Sequence, residues 1–363
     1  MAAAATMSAA CACAVLLAGC TSTPEPDRPA AAKNGDTAPL SGRATALPVP
    51  RGKGSRVPAD FNGDGHRDLV LNDLVKAPGD SHGDDAGIGV VYGAAGRRAL
   101  DPAVRRLLTP RANAAPVGGA LPAAFDAEAA CDLDKDGFSD LIVATDPPYN
   151  GIGRPPVPLQ LLFGSPAGLA GKAVVLRIPE QARYGNEWPD HPVCGDFDGD
   201  GSTDLAVTAS AGRVSFLRGP FTRTGAPRAA TAPVQGGGPA LSAPSPKPDA
   251  NGDGYDDLVV SARAPEPGSA AKGKLLLGGP DGPARAGGRY AFTAVSIPPA
   301  PALPAGETSP VTEVLQYADF DGDKRADLVT RTHRGERADV VALYPASART
   351  TALITFSTSV FLH

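Results

Sequence analysis

The chain has 363 residues, 42% of them hydrophobic, and a formal charge of −5. That is enough apolar material for a large core or a tandem array, and the acidic balance, without a basic patch interleaved with aromatics, argues against a nucleic-acid partner. Glycine (43) and proline (38) are abundant and aromatics fall to 5%, a composition suited to many short strands joined by turns.

Residues 1–20 read MAAAATMSAACACAVLLAGC. The run is apolar and uncharged, too short to span a bilayer comfortably, and has the apolar stretch and small-residue cleavage site of a secretory signal. Its last four residues, Leu17-Ala18-Gly19-Cys20, resemble the lipobox of bacterial lipoproteins. The resemblance implies removal of residues 1–19, acylation of Cys20 and an extracytoplasmic, membrane-anchored protein; a cleaved signal and a secreted protein is the alternative. No Lys or Arg precedes Cys20, a departure from the usual basic start. Residues 20–54 are rich in Pro, Ala, Ser, Thr and Gly with no hydrophobic period, and read as a disordered tether. The body is then 55–363. It keeps two cysteines, Cys131 and Cys194, each just before an acidic cluster. In an oxidising compartment they form a disulfide or remain two buried thiols.

The acidic cluster occurs five times: DFNGDGHRD (60–68), DLDKDGFSD (132–140), DFDGDGSTD (196–204), DANGDGYDD (249–257) and DFDGDKRAD (319–327). Each is followed by a short apolar run, and repetition at this period indicates tandem supersecondary units. Oxygen donors at positions 1, 3 and 5 are what a hard cation such as Ca²⁺ takes from a tight loop, with a backbone carbonyl at position 7 and a closing carboxylate at position 9. The candidate ligands are Asp60, Asn62, Asp64, His66 and Asp68; Asp132, Asp134, Asp136, Phe138 and Asp140; Asp196, Asp198, Asp200, Ser202 and Asp204; Asp249, Asn251, Asp253, Tyr255 and Asp257; and Asp319, Asp321, Asp323, Arg325 and Asp327. Position 7 contributes only its carbonyl. An EF-hand would need Glu at position 12, where Leu71, Val143, Val207, Val260 and Thr330 stand instead, and a helix where these β-branched runs read as strands. The ligand aspartates are nearly half of the 39 acidic residues, so the loops repel themselves until cations fill them. Five Ca²⁺ would move the formal charge from −5 to +5, linking folding to calcium. Lys324 replaces the turn glycine in the fifth copy and makes it the least regular.

A second pattern follows each copy: GIGVVYGAAG (87–96), LQLLFGSPAG (159–168), RVSFLRGP (213–220), KLLLGGPDG (274–282) and DVVALYPAS (339–347). Further strand-like runs are VRRLL (104–108), AVVLRI (173–178), YAFTAVSI (290–297) and TALITFS (351–357), with no counterpart in the third unit, where 222–248 reads as a low-complexity insert. An acidic hairpin, an apolar strand, then a strand ending in YG or FGS together resemble the FG-GAP/VCBS repeat of integrin-α-like β-propellers. The resemblance covers about 55–363 and implies an all-β fold of four-stranded blades, with calcium in the hairpin between the first two strands. Five copies predict five blades; six or seven would require degenerate blades without visible strands.

With the acidic loops on one face, the loops between strands two and three and the blade-to-blade crossings share the other. Tyr149, Tyr184 and Trp188, the only tryptophan, fall there and form a candidate ligand face for a glycan, peptide or cell-wall component. There is no GxSxG, HExxH or cofactor loop, so the reading is a monomeric, non-catalytic binding or scaffold module. The alternative is an extracytoplasmic hydrolase or lyase acting on glycan, which would need converging carboxylates or histidines on the crossing face.

Overall fold

The computed structural model describes residues 45–77, 85–96, 98–147, 158–298, 311–335 and 337–362. Cys20 and Tyr149 lie outside them. Five antiparallel sheets follow one another in chain order. Blade one holds β1 (Leu69–Leu71), β2 (Ile88–Gly93) and β3 (Leu100–Leu108). Blade two holds β4 (Phe125–Cys131), β5 (Asp140–Thr145), β6 (Gln160–Leu162) and β7 (Val174–Val175). Blade three holds β8 (Val193–Gly195), β9 (Asp204–Ala209), β10 (Arg213–Arg218) and β11 (Ala229–Ala230). Blade four holds β12 (Ala240–Ser242), β13 (Leu258–Ser261), β14 (Lys272–Leu277) and β15 (Arg285–Ala291). Blade five holds β16 (Val311–Ala318), β17 (Asp327–Arg334), β18 (Arg337–Tyr344) and β19 (Ile354–Ser357). The molecule is a five-bladed β-propeller with almost no helix.

The strand sequences suit this position. A central blade strand is covered on both faces, so it reads as a continuous apolar run in which successive side chains point to opposite neighbours. In β5, Leu141 and Val143 pack toward blade one while Ile142 packs toward blade three. In β2, Val90 faces blade two and Val91 faces blade five. Blades three and four meet through Phe216, Leu241, Leu258 and Leu276. Each fully buried Leu or Phe contributes roughly 1.5–3 kcal/mol. The ring closes between blades five and one through Val329, Leu343 and Phe356 against Leu69, Leu71 and Leu100. Arg105 of β3 also donates from Nε to the Val360 carbonyl at 2.7 Å, in the terminal 3₁₀ turn Thr358–Phe361. The contact between blades four and five differs. Among the described residues its buried members, Val314, Leu328, Ala342 and Tyr344, all belong to blade five, with only Val295 packed against them from the blade-four side. A cavity of about 500 Å³ lies there, lined by Phe292, Leu315, Tyr317 and Arg349 among others.

Two expectations need correction, and one blade departs from the four-stranded pattern. Among the described residues blade one has three strands. Its inner strand shrinks to one ladder bond, Asp68 N–H to the Ala59 carbonyl at 2.9 Å, because the preceding segment carries Pro58 and a left-handed Ala59 (φ 57°). The stretch 222–248 is no insert. It supplies β11, where Leu217 pairs with Ala230, and β12, where Leu241 pairs with Val260. The packed body also begins upstream of residue 55. The Gly52 and Lys53 amides donate to the carbonyls of Asn62 and Gly63 at 3.0 Å each, and Ser55 N–H donates to Gly137 O at 2.7 Å. A Cβ on Gly52 would lie 1.9 Å from the Gly63 carbonyl, so only glycine permits that approach.

Candidate functional site

In blades two to five the acidic loops join the first and second strands, and the blade-one copy leads directly into β1. All five have one internal geometry. The position-6 amide donates to Oδ2 of the position-1 aspartate: Gly65 to Asp60, Gly137 to Asp132, Gly201 to Asp196, Gly254 to Asp249 and Lys324 to Asp319. The position-7 amide donates to Oδ1 of the position-5 aspartate, from His66, Phe138, Ser202, Tyr255 and Arg325. Two residues per loop take left-handed backbone. Position 6 does so throughout, Lys324 included at φ 65°, and so does position 4: Gly63, Lys135, Gly199, Gly252 and Gly322. Lys324 therefore copies the glycine geometry, at a steric cost of about 1–2 kcal/mol.

The position-9 aspartates have structural partners of their own. Asp68, Asp140, Asp204, Asp257 and Asp327 are fully buried. One oxygen of each accepts the position-2 amide of its own loop, from Phe61, Leu133, Phe197, Ala250 and Phe320. The other accepts an amide from the second repeated pattern, where its apolar strand gives way to the small-residue turn, from Gly93, Gly164, Gly219, Gly278 and Ala346. A Cβ on any of those four glycines would lie 2.0–2.6 Å from the position-8 carbonyl: Arg67, Ser139, Thr203 or Asp256. The two repeated sequence patterns are thus halves of one contact. Sequence reasoning treated them separately; four glycines in register with five aspartates was the available clue.

Adjacent loops are also stitched together. Ser139 N–H donates to Asp60 O at 2.9 Å and Asp256 N–H to Asp196 O at 3.0 Å, each crossing from one blade to the next. Cys131 and Cys194 form a disulfide, joining the ends of β4 and β8 immediately before the acidic loops of blades two and three.

The loops fit a cation. Asn62 Oδ1, Asp134 Oδ1 and Asp196 Oδ1 are buried with no hydrogen-bond partner, and all three are atoms at ligand positions. Carboxylate oxygens of Asp132, Asp134 and Asp136, of Asp196, Asp198 and Asp204, and of Asp319, Asp321 and Asp327 lie within 4.8 Å of one another. Burial, with neighbouring carboxylates adding to it, pushes Asp134 up to about 6 and Asp140 up to about 8. A divalent cation would reverse that pressure. Where position 3 is asparagine, its Nδ2 donates to position 5, Asn62 to Asp64 and Asn251 to Asp253, at 2.9 Å in both. Where position 3 is aspartate in blades two and three, guanidiniums take that role. Arg223 spans Asp134 (2.7 Å) and Asp136, Arg218 meets Asp198, and Arg228 meets Asp200. These arginines lie in or beside stretches read as turn and insert, which hid them.

On the crossing face, Tyr184 and Trp188 are both exposed, in the connection from blade two to blade three. Arg213 stacks over the Tyr184 ring at 4.5 Å. A group missed from the sequence lies on the same face: Glu128, Asp190 and His191 bring ligand atoms within 4.8 Å of one another. Glu128 is pushed up to about 7 by desolvation, then by Asp190 and Asp126.

The FG-GAP repeat family model matches residues 193–219. The match runs from β8 through the third acidic loop, β9 and β10 to Gly219, and so spans one aspartate-to-glycine contact in full. No curated protein matches the chain, and no solved structure does. The chain is a five-bladed β-propeller whose third blade matches the FG-GAP repeat model.

Proposed function

We propose that this propeller is an exported, calcium-stapled module that binds or scaffolds without catalysis at the cell surface. The observation that carries the calcium reading is the trio of buried, unpartnered oxygens on Asn62, Asp134 and Asp196, each at a ligand position. Calcium suits the all-oxygen donor set, and up to five ions would enter loops that already share one backbone geometry. Thermal melting in EGTA and in millimolar calcium, with bound metal counted by mass spectrometry, tests it. A large upward shift with four or five ions is expected; no shift and no metal would end the reading.

Export and anchoring rest on the lipobox-like Leu17–Cys20 and on a disulfide suited to an oxidising compartment. Globomycin should trap uncleaved precursor in an expressing bacterium; normal processing would remove acylation of Cys20. The binding reading takes Tyr184 and Trp188 as exposed anchors for a glycan, peptide or cell-wall component, on a monomeric body.

A glycan hydrolase or lyase is the second reading, and Glu128 is what favours it. A carboxyl held near 7 beside Asp190 has the character of a general acid. Turnover of cell-wall polysaccharide that disappears in Glu128→Gln would put this reading first.

A further inference from the structure

Among the described residues blade one lacks its inner strand, and the gap is a defined slot. β1 pairs with β2 on its outer side. On its inner side the ladder ends at the Asp68–Ala59 bond. Strand residues alternate in the direction of their backbone groups, so Val70 points inward as Asp68 does. Among the described residues, nothing bonds its N–H or C=O on that side. Asn72 marks how the next register is filled: its side-chain amide bonds both ways to the Ala127 backbone at 2.9 Å, standing in for a missing peptide group.

A cavity of about 310 Å³ occupies the vacant position, lined by Ala59, Val70 and Asn72 on one side and by β4 and β16 on the others. Both walls carry bulges, at Glu128 in β4 and at Leu315 in β16, and bulges re-aim side chains. Three exposed carboxylates line it: Asp73, Glu128 and Glu313. Among the described lining residues the one cation is Arg331, which is committed elsewhere, to Asp339 at 2.6 Å and to the carbonyls of Asn72 and Asp73. Glu313 has His333 Nε2 at 3.0 Å. The slot therefore combines an open strand edge, a strand-wide space and an acidic rim.

We propose that this slot is a docking groove for an extended, positively charged peptide, which adds to β1 as its inner neighbour and is held by Asp73, Glu128 and Glu313. Main-chain bonds to Val70 give affinity and the acidic rim gives selectivity, the division found in other strand-addition sites.

The test uses the full chain and three fluorescein-labelled pentapeptides: alternating valine and lysine, alternating valine and glutamate, and the lysine peptide with N-methylated backbone amides. The lysine peptide should bind and slow hydrogen exchange at the Val70 amide. N-methylation should abolish binding, and the glutamate peptide should not bind. Glu128→Gln and Asp73→Asn, both at exposed positions, should each weaken binding about tenfold, a change of ~1.4 kcal/mol. Binding that survives N-methylation, or leaves Val70 exchange unchanged, would overturn strand addition in favour of diffuse charge attraction. Equal binding of the glutamate peptide, or no binding of either, would overturn the groove altogether.

Discussion

Asp140 accepts the Leu133 amide on Oδ2 and the Gly164 amide on Oδ1, at 2.9 Å each, so one buried carboxylate ties the acidic loop of blade two to the turn after its third strand. Replacing Asp140 by alanine orphans two buried N–H groups, and about 2–5 kcal/mol of stability should go with them. Gly164→Ala should be comparably damaging, because its Cβ would meet the Ser139 carbonyl at 2.3 Å. Glu180→Ala, on an exposed helical turn, should stay within about 0.5 kcal/mol. Urea unfolding of the three variants checks the order.

Calcium should enlarge the cost of loop substitutions. Without it, Asp134→Ala and Asp196→Ala relieve a like-charged cluster and delete an unpartnered oxygen, but they also give up the Arg223 ion pair and the Gly201 amide respectively, so each should destabilise only mildly. With it, each should lose one ion and melt below wild type. Paired melts in EGTA and calcium, with metal counting, read both effects. Melts lowered equally in both conditions would show that these oxygens have no part in cation binding.

The disulfide closes a loop across two blades with a sequence separation of 63 residues. Chain entropy puts its contribution near 4 kcal/mol. Cys131→Ala/Cys194→Ala should melt well below wild type, and non-reducing peptide mapping should recover the linked pair.

Glu128 gives the crossing face a pH dependence. Its proton is held more tightly in the folded chain than in the unfolded one, with an ordinary value of 4.5 raised to about 7. The folded state therefore keeps its full stability below about pH 4.5 and loses some as pH rises through 7. Glu128→Gln should remove that slope, matching wild type at pH 4.5 and exceeding it at pH 8. Chemical denaturation across this range measures it. The effect should be small, because the residue is largely exposed.

The repeat was legible because its chemistry is concentrated. Five copies of alternating aspartates leave little else to explain them, and β2, β6, β10, β14 and β18 were marked by apolar runs ending in small residues. What escaped detection was weakly encoded. β11 is two alanines and β12 is three residues in a stretch of prolines and glycines, held in place by their neighbours rather than by propensity. The missing inner strand of blade one could not be read either, since Val57 and Ala59 look as strand-like as the residues before the other loops. The role of the position-9 aspartates depends on partners 15–25 residues away, beyond any local pattern. The arginine counter-ions had the same difficulty: Arg223 reaches Asp136 across 87 residues.

The thin contact between blades four and five has a mechanical meaning. A disc packed equally all round has no preferred place to fail, whereas this one resembles a split washer. Its other four interfaces draw buried side chains from both blades, but here, among the described residues, one blade supplies nearly all of them. Under stress blades four and five should part first, leaving a curved four-interface strip whose loops remain in register. Reversible opening at that cut would let the ring widen and relax as a single spring.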